Sequence, residues 1–372
     1  MLSSVDSRKN NIEFLRLVFA VMVVFAHSFA VTESGAEPFA LLTRGQATGG
    51  TIAVDAFFIL SGFLITASYE RSSSAFSFLK KRILRIYPAF LVVTLVTALC
   101  VVPLGGGQLE GRGALGKTAL VIASIVRLKD IKSLGTFANN PYPHVVNASL
   151  WTVSYEFVCY LGVAVLGMTM LLHRRRTIAG LFGASLVVSL LFAQFHWQSG
   201  HTLETALFGI PQAWARFIPM YLAGVVFYLY RDRIRLHRWG AILSAIAMAV
   251  ACVIPLGYTL LFPIFGAYLL MYISYWERLP LYRVMRFGDL SYGTYLYAFP
   301  IQQLLMQHFV QHSGVGNSPL RLFAVATPLA LTAAAMSWHF IESPSLRAGK
   351  RRQRVQNTPR IPFGSSLPIS GD

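Results

Sequence analysis

The chain is poor in charge. Only 13% of its 372 residues are Asp, Glu, Lys or Arg, against about 25% in an ordinary soluble domain. Set beside 55% apolar residues, that shortage excludes a water-soluble globular protein. Cysteine is scarce as well. Cys100, Cys159 and Cys252 form an odd set without a spacing motif, which supports neither a disulfide framework nor a zinc site. Ten-residue segments of alternating polar and apolar residues are missing, and this argues against an outer-membrane barrel. Negative charge is scarcer than positive, with 15 acidic against 32 basic side chains. The net charge of +17 does not signal nucleic-acid binding. The basic residues cluster between hydrophobic runs, as the positive-inside rule requires.

What the chain has is long apolar runs. Spans are expected at roughly 12–31, 50–69, 86–104, 149–172, 177–195, 214–230, 239–255, 257–275, 289–311 and 320–342. The fold class expected is an all-α polytopic membrane protein of about ten transmembrane helices. With a cytoplasmic amino terminus, 23 of the 32 Lys and Arg fall on the inner side. Both termini are therefore expected in the cytoplasm. The first run is too long for a secretory signal and Arg16 interrupts it, so an uncleaved helix is expected.

Residues 105–148 are expected to form an extracytoplasmic loop. Its apolar stretch Ala114 to Val126 is short and contains Lys117, which suits an interfacial or re-entrant helix. Residues 1–345 are read as one transmembrane domain, and 346–372 as a disordered, basic cytoplasmic tail with no second catalytic domain. Ser61-Gly62 and Ser291-Tyr292-Gly293 suit close helix packing. Trp151, Tyr155 and Tyr160 suit an interfacial belt, and Glu342 with Pro344 suits the end of the last helix.

Ionisable residues inside the spans stand out, because each costs roughly 2.5–3.5 kcal/mol at a helix centre on insertion scales. Arg16 and His27 lie eleven residues apart in the first span. That is three turns plus about 20°, so both leave one face about 16 Å apart. Asp55 and Glu156 are expected near the depth of His27. A carboxylate beside a histidine raises its basicity, as deprotonation of a hydroxyl requires. Which carboxylate meets His27 is left open.

The motifs then fall into a familiar order. They begin with Asn11-Ile12-Glu13-Phe14-Leu15-Arg16 leading to His27, and Val54-Asp55-Ala56-Phe57-Phe58-Ile59-Leu60-Ser61-Gly62-Phe63-Leu64-Ile65. Lys81-Arg82-Ile83-Leu84-Arg85-Ile86-Tyr87-Pro88 and Ser149-Leu150-Trp151-Thr152-Val153-Ser154-Tyr155-Glu156 follow. Leu290-Ser291-Tyr292-Gly293-Thr294-Tyr295-Leu296-Tyr297 and Phe340-Ile341-Glu342-Ser343-Pro344 close the set. From about residue 10 to 345 the chain resembles the acyltransferase 3 family of membrane acyltransferases.

The resemblance implies transfer of an acyl group, usually acetyl, from cytoplasmic acyl-CoA to a sugar hydroxyl in a polysaccharide or lipid-linked glycan. It implies His27 as the catalytic histidine, Arg16 as its required neighbour and Glu156 as the acidic residue of the Trp motif. Arg82 and Arg85 match the family's basic pair. With Lys81 they would meet the phosphates of CoA, which need guanidinium or ammonium partners. One departure is Ala298, standing where the late Tyr-Leu motif often ends in histidine. The expected partners are the lipid bilayer, the glycan acceptor and acyl-CoA, with no nucleic acid, no metal and a location in the inner membrane. The oligomeric state stays open, a homodimer being one option. A transporter or flippase of a glycan intermediate is the alternative, disfavoured by the lack of a clear internal repeat.

Overall fold

The computed structural model describes residues 10–195, 209–283, 288–312 and 318–349. Helix dominates because a helix satisfies its own backbone polar groups where no water can. The order opens with α1 (Ile12–Thr32), the short α2 (Pro38–Leu42), α3 (Gly49–Glu70) and α4 (Ala75–Leu104). Next come α5 (Gly113–Arg127), α6 (Trp151–Met168), α7 (Arg175–Gln194) and α8 (Pro211–Leu229). The chain continues through α9 (Arg238–Ala251), α10 (Gly257–Ser274), α11 (Ser291–His312) and α12 (Pro319–Gly349).

Among the described residues, seven helices are long and apolar enough to cross a membrane: α1, α3, α4, α6, α7, α10 and α12. The expected count of ten is therefore reduced by this measure. Helices α8, α9 and α11 do occupy the other three expected spans. However, α9 has only 14 residues, and α8 and α11 are polar for their length. The polar residues of α11 have a structural reason: Gln302 and Gln303 are both 0% exposed and spend their amides on neighbouring segments.

Helix α1 packs among α3, α11 and α12, and α3 lies along α8. The α3–α8 contact is made at glycines. A Cβ on Gly62 would fall 2.0 Å from the Tyr221 carbonyl oxygen, and one on Gly224 2.0 Å from that of Ile59. Gly293 similarly faces the backbone of Ala334. Gly224→Ala should force the two helices apart at an overpacking cost of about 1–3 kcal/mol. A lower melting temperature in detergent is the expected readout; an unchanged one would contradict the contact.

The segment before α6 is held down rather than free. Strand β1 (Gln108–Leu109) pairs antiparallel with β2 (Ser133–Leu134), and α5 between them lies on α4 with only Ser124 buried. Beyond it, Asn140 donates to Gln303 Oε1 at 2.8 Å and Asn147 donates to the Leu296 carbonyl at 2.9 Å. Gln303 donates in turn to the carbonyls of Tyr142 and Val145, both at 2.8 Å. These bonds dock irregular backbone on α11 and carry Ala148 and Trp151 to the neighbourhood of α1.

Three local expectations are corrected. Glu342 and Pro344 do not end the last helix. A π turn over Trp338–Glu342 carries α12 on to Gly349, and Pro344 then sits in a fresh first turn, where its missing N–H costs little. The expected tail is thus helical as far as Gly349, and residues 350–372 lie outside the described residues. Tyr155 and Tyr160 are not interfacial, each being 5% exposed. The Tyr155 hydroxyl accepts from the Ile210 amide at 2.7 Å, and the Tyr160 hydroxyl donates to Glu156 at 2.5 Å.

Candidate active site

The site grows from one face of α1. Arg16 donates through Nη1 to Asp289 Oδ2 at 2.8 Å. The same oxygen accepts from Arg85 Nη2 of α4 at 2.5 Å, and Arg85 Nη1 reaches Glu342 of α12 at 3.1 Å. Asp289 Oδ1 accepts from the Ser291 amide and hydroxyl. Two guanidiniums and two carboxylates thereby lock α1, α4, α12 and the start of α11 together. Buried charges persist only when paired in this way. The π turn of α12 places the Glu342 carboxylate, 1% exposed, within that cluster.

This geometry changes the expectation for the basic set. Arg85 does not stand free at an inner mouth, because both of its terminal nitrogens are engaged by carboxylates. Arg82, one turn earlier, goes elsewhere. Its Nη2 reaches Ser68 Oγ at 3.4 Å and its buried Nε has no hydrogen-bond partner. Lys81 donates to Ser72 Oγ at 3.1 Å. Of the three residues, Arg82 keeps the most unspent donor capacity.

Neither expected carboxylate contacts His27. Glu156 accepts from Ser61 Oγ at 3.0 Å and from Tyr160. Asp55, 0% exposed, accepts from Arg216 Nε at 2.9 Å and from the Tyr258 hydroxyl at 2.8 Å. Arg216 also donates to the Thr51 carbonyl at 3.0 Å, stapling α8 to α3. His27 instead packs edge-on against Phe299 with ring centroids 5.0 Å apart. Its Nδ1 is buried without a hydrogen-bond partner.

Two cavities open on this face. The outer one, about 340 Å³, is lined by His27 together with Glu37, Thr51, Trp151 and Arg216. The inner one, about 40 Å³, is lined by Arg16, Glu156 and Thr152 among others. Glu37 is a loop residue that the sequence reading passed over. It is 5% exposed, accepts from the Gly49 amide, and burial pushes its carboxyl above the usual carboxylate range. Among the described residues, no group of His, Cys, Asp and Glu could hold a metal ion.

Arg216, Asp289 and Tyr258 were also missed. Arg216 was within reach, since it is a lone cation in an apolar span and obeys the rule that singled out Arg16. Asp289 carries a weaker signal, as it sits at the very start of its expected span.

Chemically, the arrangement offers an imidazole in a roomy, mostly apolar cavity with a few polar groups, and a second pocket lined by a guanidinium. An acceptor hydroxyl and an activated acyl group could meet there. A family model described as an acyltransferase domain, that of the acyltransferase 3 family, matches residues 9–339. Nodulation protein 10 of Rhizobium leguminosarum bv. viciae is 30% identical, over 92% of this chain and 94% of that protein. The O-acetyl transferase of Shigella phage Sf6 is 29% identical, over 90% of this chain and 95% of its own length. O-acetyltransferase OatA of Staphylococcus aureus is 25% identical over 81% of this chain, which corresponds to 53% of that longer protein. No solved structure matches. By a family match over most of its length, and a relative at this identity across nearly all of it, the chain belongs to the acyltransferase 3 family and is a membrane acyltransferase.

Proposed function

We propose that this protein takes an acetyl group from cytoplasmic acetyl-CoA and esterifies a sugar hydroxyl of a polysaccharide or lipid-linked glycan at the inner membrane. The observation that carries the reading is the pair of adjoining cavities on the α1 face, one containing His27 and the other Arg16. Relatives named as O-acetyl transferases support the choice of acetyl.

In this reading the acceptor enters the larger cavity and His27 accepts the proton of its hydroxyl. The oxygen attacks the thioester carbonyl, a C–O bond forms and the C–S bond breaks. The departing CoA thiolate takes up the proton held by the imidazole. A base positioned in this way typically contributes about 10²–10⁴-fold to rate. Arg16 lines the donor's route, and Arg82 and Lys81 meet the CoA phosphates. Arg85 and Asp289 fix the position of Arg16. Asp55 acts through Arg216, and Glu156 through the inner cavity it lines. In a covalent variant, His27 carries the acetyl group first. Trapping label on His27 from acetyl-CoA without acceptor would select that route.

The test is transfer by the purified chain in liposomes, supplied with labelled acetyl-CoA and glycans from the host surface. One free CoA thiol should appear for each acetyl ester formed. Movement of the glycan across the bilayer without CoA release would overturn the reading in favour of a flippase.

A further inference from the structure

The two cavities share a wall made by two side chains. Val54 of α3 and Tyr295 of α11 line both the His27 cavity and the Arg16 cavity. Tyr295 is 9% exposed and latched: its hydroxyl and Thr152 Oγ1 are 2.6 Å apart, and its ring meets Phe57 edge-on at 6.1 Å. Thr152 and Phe57 themselves line the inner cavity. Val54, the other side chain common to both cavities, is β-branched and has few rotamers to retreat into. An acyl group carried from the Arg16 cavity to the His27 cavity would cross the wall that these two side chains make.

We propose that Val54 and Tyr295 form an acyl-length filter, which admits a two-carbon acyl group to His27 and holds back longer ones. This inference rests on the acyl-transfer reading above. The inner cavity, at about 40 Å³, has room for a few water-sized groups at roughly 10–15 Å³ each. An acetyl group fits that room. A longer chain must displace the Tyr295 ring and break its bond to Thr152. The bonds made and broken are the same for every acyl group. The filter acts only on whether the thioester carbonyl reaches the His27 side. One methylene too many in an apolar slot typically costs about 10–200-fold in kcat/KM, and that range sets the expected discrimination per added carbon.

The test compares acetyl-, propionyl-, butyryl- and hexanoyl-CoA as donors in liposomes, reading ester formation against thiol release. The unaltered protein should fall steeply from acetyl to butyryl. Val54→Ala should raise the butyryl-to-acetyl ratio by at least about tenfold, on the order of one methylene's worth of room. Tyr295→Phe, which keeps the ring and removes the latch, should move the ratio the same way. An unaltered protein that uses hexanoyl-CoA as readily as acetyl-CoA would overturn the filter, even if neither variant folds. Ratios unchanged in folded, active variants would do the same. Absence of transfer from every donor in the unaltered protein would instead remove the acyl-transfer reading itself.

Discussion

His27→Ala should lower acetyl transfer by about 10²–10⁴-fold, the range for loss of a positioned general base, while the folded yield stays close to that of the unaltered protein. The two halves of this expectation have separate grounds. The loss of rate follows from the place of His27 in the larger cavity, where it is the imidazole able to take the acceptor proton. The tolerance of the fold follows from its bonding. Nδ1 has no hydrogen-bond partner and the ring makes an edge contact with Phe299, so removing it orphans no buried group at that nitrogen. Initial rates of ester formation, measured beside a melting curve in detergent, check both halves. Full transfer by His27→Ala would sink the catalytic assignment. A collapse in melting temperature would show instead that the ring is structural.

Asp289→Asn should be among the most damaging substitutions to the fold. Asp289 Oδ2 accepts from Arg16 and Arg85 together, and the residue is 7% exposed. Asparagine keeps the shape but removes the charge, leaving two guanidiniums facing one amide while Glu342 pairs with Arg85 alone. Breaking a buried pair from one side typically costs about 3–5 kcal/mol, a large share of a stability of roughly 5–15 kcal/mol. The readout is the melting temperature and the yield of monodisperse protein. Arg16→Met added to Asp289→Asn should recover part of the loss, since it removes one of the stranded charges. An Asp289→Asn protein that melts like its parent would show that the cluster holds nothing together. Recovery of stability without recovery of transfer in the double variant is the pattern expected if Arg16 also serves the donor.

Much of the helical frame was legible from hydropathy, and physical chemistry says why. A bilayer core sets the length of a span, and a helix is the structure that satisfies a single span's backbone there. The period of the helix is local, so two residues eleven apart necessarily share a face. The sequence therefore suffices to place Arg16 and His27 on one face of α1. Apolarity alone blurred the number of spans, because α8 and α11 carry side chains that serve interior contacts rather than lipid. Arg216 bonds Asp55, and Gln303 pins the loop before α6.

Composition and local periodicity were enough for the membrane-helical class and for the α1 face with its cation and imidazole, and the motifs that mark the family are read directly from the chain. Tertiary structure alone decided which charges meet. Asp55 finds Arg216 at a separation of 161 residues, and Arg16 finds Asp289 at 273. No local period encodes such pairs, since an ion's partner is chosen by which helices pack side by side and how each is rotated. The same packing left His27 without a carboxylate partner and divided its face into two chambers at Val54 and Tyr295.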